Sequence, residues 1–132
     1  MVVPVCIETP TEFARYTVSA ATAIPIGTTM QQIDPHAAIA SSGAADVFAG
    51  IAWVEKSAAD TDITECVVAK NGVWDIQDAT AGGSAGAMVV LSGANLIRDA
   101  VAGDLLTGAV VGKREEDASA SEISRIRVGR VI

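Results

Sequence analysis

Apolar and polar residues alternate over short stretches through most of this sequence, a pattern typical of strands that bury one face. In the C-terminal stretch, Ile126 and Val128 face one way, whereas Arg125 and Arg127 face the other. Residues that favour turns recur at a spacing of roughly 8–12 residues, which is typical of sandwiches and barrels. The pattern predicts an all-β protein, a small barrel or sandwich of about nine or ten short, mostly antiparallel strands.

The strongest local signal is Asn71-Gly72, which lies between strand-like stretches at residues 63–70 and 73–77. Asn-Gly favours a type I′ turn, because both central residues of that turn need a positive φ. The sequence therefore predicts an antiparallel hairpin, with Lys70 and Asp75 as a diagonal charge pair on its exposed face. The buried face of this predicted hairpin consists of Val67, Ala69, Trp74 and Ile76.

Three other stretches are less regular. Residues 37–45 are small and polar and predict a loop or one weak helical turn. Residues 106–113 read as a strand whose Gly108 and Gly112 indicate a bulge or tight packing. Residues 114–122 are rich in charge and predict a flexible loop.

The N-terminal residues 1–12 are apolar but contain Pro4 and Pro10. Each proline removes a backbone donor, so the segment is a poor central strand. We predict an edge strand or an arm that adds to the sheet of a partner, with a frayed terminus as the alternative. Residues 13–132 are then a single β-domain. The residues predicted to contact a partner through the arm are Val2, Val3, Val5 and Ile7.

The bulk composition restricts the class of protein. The chain has 132 residues, enough for one domain with a hydrophobic core, and a formal net charge of −7. An acidic chain argues against nucleic-acid binding, which needs a basic patch. Five of the nine basic residues nevertheless lie in the last twenty, where they form a solvated strand face, a subunit contact or a phosphate-binding surface.

The two cysteines, Cys6 and Cys66, are too few for a disulfide framework. The N-terminus lacks the basic and apolar regions of a secretory signal, and no apolar run reaches the ~20 residues that span a bilayer. These features predict a soluble protein without a membrane partner, made in a reducing cytoplasm.

No stretch of the chain carries a recognisable catalytic arrangement. His36, the only histidine, follows a turn signal and has no second histidine or cysteine at zinc spacing. Asp60, Asp62 and Glu65 lack the calcium-loop pattern, and the glycine-rich residues 82–86 lack the lysine of a phosphate loop. We therefore predict no catalytic residues, no cofactor and no metal, with a weak calcium contact as a minor alternative.

Two tryptophans remain to be placed. Trp74 falls on the predicted buried face, whereas Trp53 alternates with Ile51 and Glu55 and has no clear side. Because tryptophan is enriched at protein interfaces, Trp53 is our candidate for a partner contact.

Two parts of the chain show a weak internal similarity, which we call the echo: each has a strand, a glycine, a polar loop and a second strand. Residues 49–52 lead through an acidic loop to residues 63–68, and residues 111–113 lead through a similar loop to residues 123–128. The echo fits two hairpins of one β-domain.

The order of several segments resembles the head decoration proteins, also called capsid-stabilising or cement proteins, of tailed bacteriophages and related viruses. The resemblance begins at Ile24 and extends to the C-terminus. The matching segments are IPIGTTM (24–30), FAGIA (48–52) followed by VEKSA, NGVWD (71–75), GAMVVLSGANLI (86–97), VVGK (110–113) and IRVG (126–129).

The resemblance implies a tulip-like or barrel-like β-domain that forms a homotrimer on the exterior of the virion. Its partner would be the major capsid protein, it would be made in the host cytoplasm, and it would have no enzymatic activity. The alternatives are another virion β-module, such as a tail or fibre component, and a small β-barrel enzyme or ligand-binding domain. The last alternative predicts a concave pocket with convergent polar groups.

Overall fold

The computed structural model describes residues 3–79, 81–106 and 108–129. Within these ranges the chain is all-β, as predicted, and its eleven strands exceed the roughly nine or ten expected from turn spacing. A 3₁₀ turn covers Ala102–Leu106. The strands are β1 (Val5–Glu8), β2 (Phe13–Thr17), β3 (Thr29–Asp34), β4 (Ala37–Ala40), β5 (Phe48–Ala52), β6 (Glu65–Ala69), β7 (Gly72–Asp78), β8 (Met88–Gly93), β9 (Leu96–Asp99), β10 (Val110–Arg114) and β11 (Ile123–Val128).

The strands form two small barrels. Strands β2 to β6 close into the N-terminal barrel in the order β2-β4-β3-β5-β6. Strands β7 to β11 form the C-terminal barrel in the order β7-β11-β10-β8-β9, which closes because β9 pairs in parallel with β7. Most pairings are antiparallel, and one parallel pairing closes each barrel.

The two barrels have the same topology, so the fold is an internal duplication. In each barrel the first strand pairs with the third in parallel and with the fifth in antiparallel orientation. The register repeats as well, since Met30 pairs with Gly50 and its equivalent Val89 pairs with Gly112. A bulge follows at the same point in both barrels.

The weak sequence echo corresponds to this duplication. The two echoing stretches are the β5–β6 and β10–β11 pairs, which are equivalent but lie in different barrels. Equivalent glycines mark the repeat where the backbone needs them, because Gly27 and Gly86 have φ values of +92° and +89° in matching turns.

Each barrel has a closely packed interior. Tyr16, Met30 and Val68 are among the buried residues of the N-terminal barrel. The larger core cluster fills the C-terminal barrel and includes Ile51 and Ala69 from the N-terminal one. The barrels therefore share one apolar boundary, which excludes water from both.

Strand β1 precedes the N-terminal barrel in sequence but belongs to the C-terminal one. It pairs with β7, with Val5 opposite Asp75 and Cys6 opposite Trp74. The chain then returns to β2 of the N-terminal barrel. The N-terminal segment consequently connects the two barrels as an edge strand.

The predicted Asn71-Gly72 hairpin is wrong. Strands β6 and β7 do not pair, because β6 lies in the N-terminal barrel and β7 in the C-terminal one. The side chain of Asn71 instead accepts hydrogen bonds from the backbone N–H groups of Thr11 and Glu12, at 2.8 and 3.1 Å. The dipeptide is the point where the chain crosses between barrels.

The charge pair predicted for that hairpin is absent as well. Lys70 donates to the Tyr16 hydroxyl at 2.8 Å, and Asp75 pairs with Arg125. The predicted burial is nonetheless largely correct, since Ala69, Trp74 and Ile76 are at most 1% exposed and Val67 is half-buried. Burial was predictable because it follows from residue type, whereas strand partners depend on the path of the whole chain.

Three local predictions need correction. Residues 37–40 form β4, because tertiary pairing with β3 overrides their weak strand preference. The strand expected at residues 106–113 begins only at Val110, after the 3₁₀ turn. Arg114, assigned to a flexible loop, is the buried last residue of β10.

Candidate interaction surfaces

The edge strand β1 is the first candidate surface. Val5 and Ile7 point away from the core and are 57% and 41% exposed. Val3 is half-buried and packs close to Gly27, whereas Val2 lies outside the described residues. Among the arm residues that the structure describes, Val5 and Ile7 therefore expose the most apolar surface. Since β1 lies at the end of its sheet, it is suited to pairing with another strand.

Ion pairs cover the sheet face beside β1. Arg125 on β11 donates to Asp75 on β7 at 3.2 Å, and this hydrogen bond raises the pKa of the Arg125 guanidinium. Arg127 donates to Glu115 at 2.6 Å and approaches Glu8 on β1 at 3.7 Å. These C-terminal basic residues thus face carboxylates of their own chain, which lowers their value as a phosphate-binding surface.

A shallow aromatic groove is the second candidate surface. Trp53, just after β5, packs edge-on against the buried Trp74, with ring centroids 6.0 Å apart. Phe13, at the start of β2, lies 5.7 Å from the Trp53 ring and is 45% exposed. The groove is lined by Phe13, Ala14, Arg15, Trp53, Val54 and Val67.

The groove is suited to binding an apolar segment. Its lining has one ionisable side chain, Arg15, and the other lining residues are hydrophobic. Trp53, predicted as an interface aromatic, is half-buried and forms the floor. The sequence analysis missed Phe13 and Val54, which are the exposed hydrophobic residues of the groove. Forty residues separate them in the chain, and no local pattern indicates that the fold brings them together.

The two surfaces are connected through Trp74. Cys6 of β1 lies opposite Trp74 in the sheet, and Trp74 contacts Trp53 beneath the groove. Cys6, Phe48 and Trp53 all pack against the same core cluster. Both surfaces therefore rest on one rigid base.

The other sequence candidates lie outside β1 and outside the lining of the groove. His36 is exposed in the turn after β3, and Asp60 accepts a hydrogen bond from the backbone N–H of Ser57 at 3.0 Å. Gly83, in the glycine-rich stretch, forms a bridge with Ala118. Within residues 3–79, 81–106 and 108–129, no group of three or more His, Cys, Asp or Glu side chains could hold a metal ion.

The cysteines Cys6 and Cys66 are both free thiols. Cys66 is buried in the N-terminal barrel, and burial raises the pKa of its thiol. Burial also raises the pKa of the half-buried Cys6 thiol. A thiol that stays protonated is a poor nucleophile, so both cysteines act as small apolar side chains here.

The C-terminal barrel contains a buried ion cluster that the sequence reading missed. The Arg114 guanidinium donates to both carboxylate oxygens of Asp78, to Asp99 at 2.7 Å and to Ser124 at 2.9 Å. These hydrogen bonds with the two carboxylates raise the pKa of Arg114 against the opposing effect of burial. The Arg114 guanidinium is thus paired with side chains of its own chain.

Comparisons with known proteins do not identify the chain: no family model matches it, and no curated protein matches it significantly. Across the part of the chain that the structure describes, none of the helical segments is long and apolar enough to cross a membrane.

Proposed function

We propose that this protein is a capsid decoration protein, which binds the outer surface of a viral shell as a homotrimer and stabilises it. It would act by binding alone, without cofactor or catalysis, with the major capsid protein as its partner. It would be made in the host cytoplasm and reside on the exterior of the virion.

One observation carries this proposal. The double barrel presents an apolar edge strand and an aromatic groove side by side. Of the residues that line the groove, one is ionisable and the others are hydrophobic. Such a surface is suited to a protein partner, because edge strands and exposed aromatic side chains are common means of recognition. The resemblance of the segment order to that of decoration proteins suggests a capsid as the partner.

The stabilising mechanism would be thermodynamic linkage. A ligand that binds the assembled shell and not its separated subunits shifts the equilibrium toward the shell. Each bound copy adds its own binding free energy, so many copies resist internal pressure together. The net charge of −7 would keep a densely covered particle soluble.

Co-sedimentation with expanded shells tests the edge strand. The double variant Val5→Lys/Ile7→Lys places two charges on the outward face of β1 without touching Cys6, which packs inward. We expect its Kd for shells to rise by at least about tenfold. The matched control is Ile63→Lys, since Ile63 has the same 41% exposure as Ile7 but lies outside β1.

A separate variant tests the groove. Phe13→Ala removes the exposed ring and leaves Trp53 on its base, so the fold should persist. We expect weaker shell binding and only a small fall in the unfolding midpoint, because the Phe13 ring contacts Trp53 but is 45% exposed. Full shell binding by both the β1 variant and Phe13→Ala would contradict the proposed binding surface. A location on the tail or fibres by electron microscopy would favour the other virion modules.

A further inference from the structure

Within one chain, the two barrels contact each other through surfaces that are not equivalent in the duplication. The C-terminal barrel contributes the end of β8 and the turn that follows it, residues 91–95. The N-terminal barrel contributes the start of β3 and the segment after β4, at Thr29 and residues 41–45. The turn of the C-terminal barrel therefore lies against a different kind of surface on the N-terminal barrel, which we call the acceptor surface.

Hydrogen bonds define this contact. The Asn95 side chain accepts from the Thr29 backbone N–H at 2.9 Å, and the Asn95 N–H donates to the Thr29 hydroxyl at 3.0 Å. The Ser41 hydroxyl donates to the Gly93 carbonyl at 2.8 Å. Farther along, the Ala45 N–H donates to the Leu91 carbonyl at 2.8 Å.

The duplication gives each barrel both surfaces, and one of each takes no part in the described contact between the barrels. The register places residues 32–36 of the N-terminal barrel where residues 91–95 lie in the C-terminal barrel. It likewise places Met88 at the position of Thr29, and the segment that begins at Ala100 at the position of residues 41–45. None of the hydrogen bonds among the described residues joins residues 32–36 to residues 88 or 100–104.

Both of these surfaces expose large apolar side chains. We call residues 32–36 with Val47 the free turn surface, whose shallow groove is lined by Gln32, Ile33, Asp34, Pro35 and Val47. Ile33 and Val47 are 54% and 42% exposed. We call Met88 with residues 99–103 and 105 the free acceptor surface, on which Val101 and Leu105 are 63% and 49% exposed.

We propose that the free turn surface of one protomer binds the free acceptor surface of the next, which repeats the contact inside the chain. The occupant is thus a second copy of this protein. Ile33, which stands where Ser92 does, would pack against Val101 and Leu105 of its neighbour. A contact between two different surfaces is heterologous, and such contacts build closed rings when the rotation closes.

The polar residues of these surfaces support the match. Asn95 and Ala40 line one crevice at the internal contact. Their equivalents are His36 and Asp99, so the same geometry would place a histidine of one protomer beside a carboxylate of the next. Three protomers joined in this way would form a ring of six similar barrels. The inference rests on the self-association in the proposed function and is independent of capsid binding.

Light scattering on the isolated full-length protein tests the inference without shells. Ile33→Glu damages the free turn surface, and Val101→Glu damages the free acceptor surface. We expect either change to raise the concentration of half-assembly by more than about tenfold. The matched control is Ile123→Glu on β11, because Ile123 is 51% exposed and lies on neither surface.

Mixing the two variants tests the heterologous geometry. The Ile33→Glu protomer keeps an intact acceptor surface, and the Val101→Glu protomer keeps an intact turn surface. An equimolar mixture should therefore form complexes of two protomers, although each variant alone is monomeric. A mixture that stays monomeric would overturn the heterologous contact.

Two further results would overturn the inference: a wild-type protein that is monomeric at all concentrations, and variants that assemble like the wild type. Circular dichroism of each variant separates lost assembly from lost folding. Failure to bind shells by a protein that still forms rings would count against the proposed function alone.

Discussion

Arg114 shows at the scale of a single residue how the two barrels have diverged. Its side chain is fully buried among Asp78, Asp99 and Ser124 in the C-terminal barrel. The equivalent interior positions of the N-terminal barrel are apolar or small. The equivalent pairs, judged by their matching backbone hydrogen bonds and registers, are Val18 with Asp78, Ala52 with Arg114 and Cys66 with Ser124.

The ion cluster therefore occupies positions that are filled by apolar or small residues in the N-terminal barrel, which has the same topology. Breaking a buried pair costs about 3–5 kcal/mol, because one charge is left without its partner, whereas replacing both partners with apolar residues is often close to neutral. We expect Asp78→Val to lower the free energy of unfolding by about 3 kcal/mol. Asp78→Val combined with Arg114→Met should recover most of that loss.

Urea unfolding of the wild type, both single variants and the double variant measures this coupling. Asp99 is exposed enough, at 43% of its side chain, to be solvated when Arg114 is removed. Additive losses in the double variant would show that the two residues do not act as a pair.

Asp104 provides a pH-dependent test. The backbone N–H of Val101 and then the Arg98 guanidinium donate to its carboxylate, which holds the pKa of Asp104 below its ordinary value. A carboxyl whose pKa is lower in the folded state stabilises the fold above its unfolded pKa, about 4, and loses that contribution as pH falls through the folded pKa. Asp104→Asn should be less stable than the wild type at pH 7 and more nearly equal at pH 2.

Chemical denaturation of both proteins across that pH range measures the difference. The matched control is Asp46→Asn, because the Asp46 carboxylate also accepts from backbone N–H groups, those of Ser42 and Gly43, but has no basic partner among the described ion pairs. A wild-type advantage over Asp104→Asn that is the same at both pH values would contradict the account.

At the scale of elements, the connection between β6 and β7 determines how the barrels are joined. Asn71 holds the segment that leads from β1 into β2, through hydrogen bonds to Thr11 and Glu12. Gly72 follows with a φ of +101° and lies close to the Glu8 carbonyl, so a side chain there would be strained. The Asn71-Gly72 dipeptide therefore holds the two barrels together at the point where the chain passes from one to the other.

Asn71→Ala tests this fastening. It removes the acceptor for two backbone N–H groups, and we expect a loss of about 1 kcal/mol in the free energy of unfolding. Asn71→Asp keeps a side-chain oxygen at the same place and should lose less. Guanidinium denaturation of the two variants compares them directly, and equal losses would remove the acceptor from the explanation.

The elements also show what local patterns predict. The turn signal at Asp34 to His36 is confirmed, because the chain turns there between β3 and β4, whereas the stronger signal at Asn71-Gly72 marks a crossing between barrels and not a hairpin. Strand β4 was not predictable, because its residues are small and gain order from pairing with β3 and β2. The aromatic groove was only partly predictable for the same reason: Trp53 was a candidate, but Phe13 reaches it through the closure of the barrel.

At the scale of the whole molecule, the two barrels share a core and should unfold together. Ile51 belongs to a strand of the N-terminal barrel but is fully buried in the cluster that fills the C-terminal one. We expect Ile51→Ala to lower the free energy of unfolding by about 2–5 kcal/mol while leaving a single transition.

Tryptophan fluorescence and far-ultraviolet circular dichroism, followed on the same samples, test this cooperativity. The control Ile24→Ala removes a buried side chain from the interior of the N-terminal barrel alone. Coincident transitions in both variants would support one cooperative unit. Two separated transitions would show that each barrel folds by itself.

The sequence by itself determined the all-β class, the burial of Trp74 and Ile76 and the apolar character of the N-terminal segment. Each follows from residue type and short-range alternation, which act within one strand. It could not determine that β6 and β7 part into two barrels, that Arg114 is buried, or that two barrels of nearly unrelated sequence share a register. Those features depend on which distant strands pair, and pairing is decided by how the whole chain closes its sheets and excludes water from a common boundary.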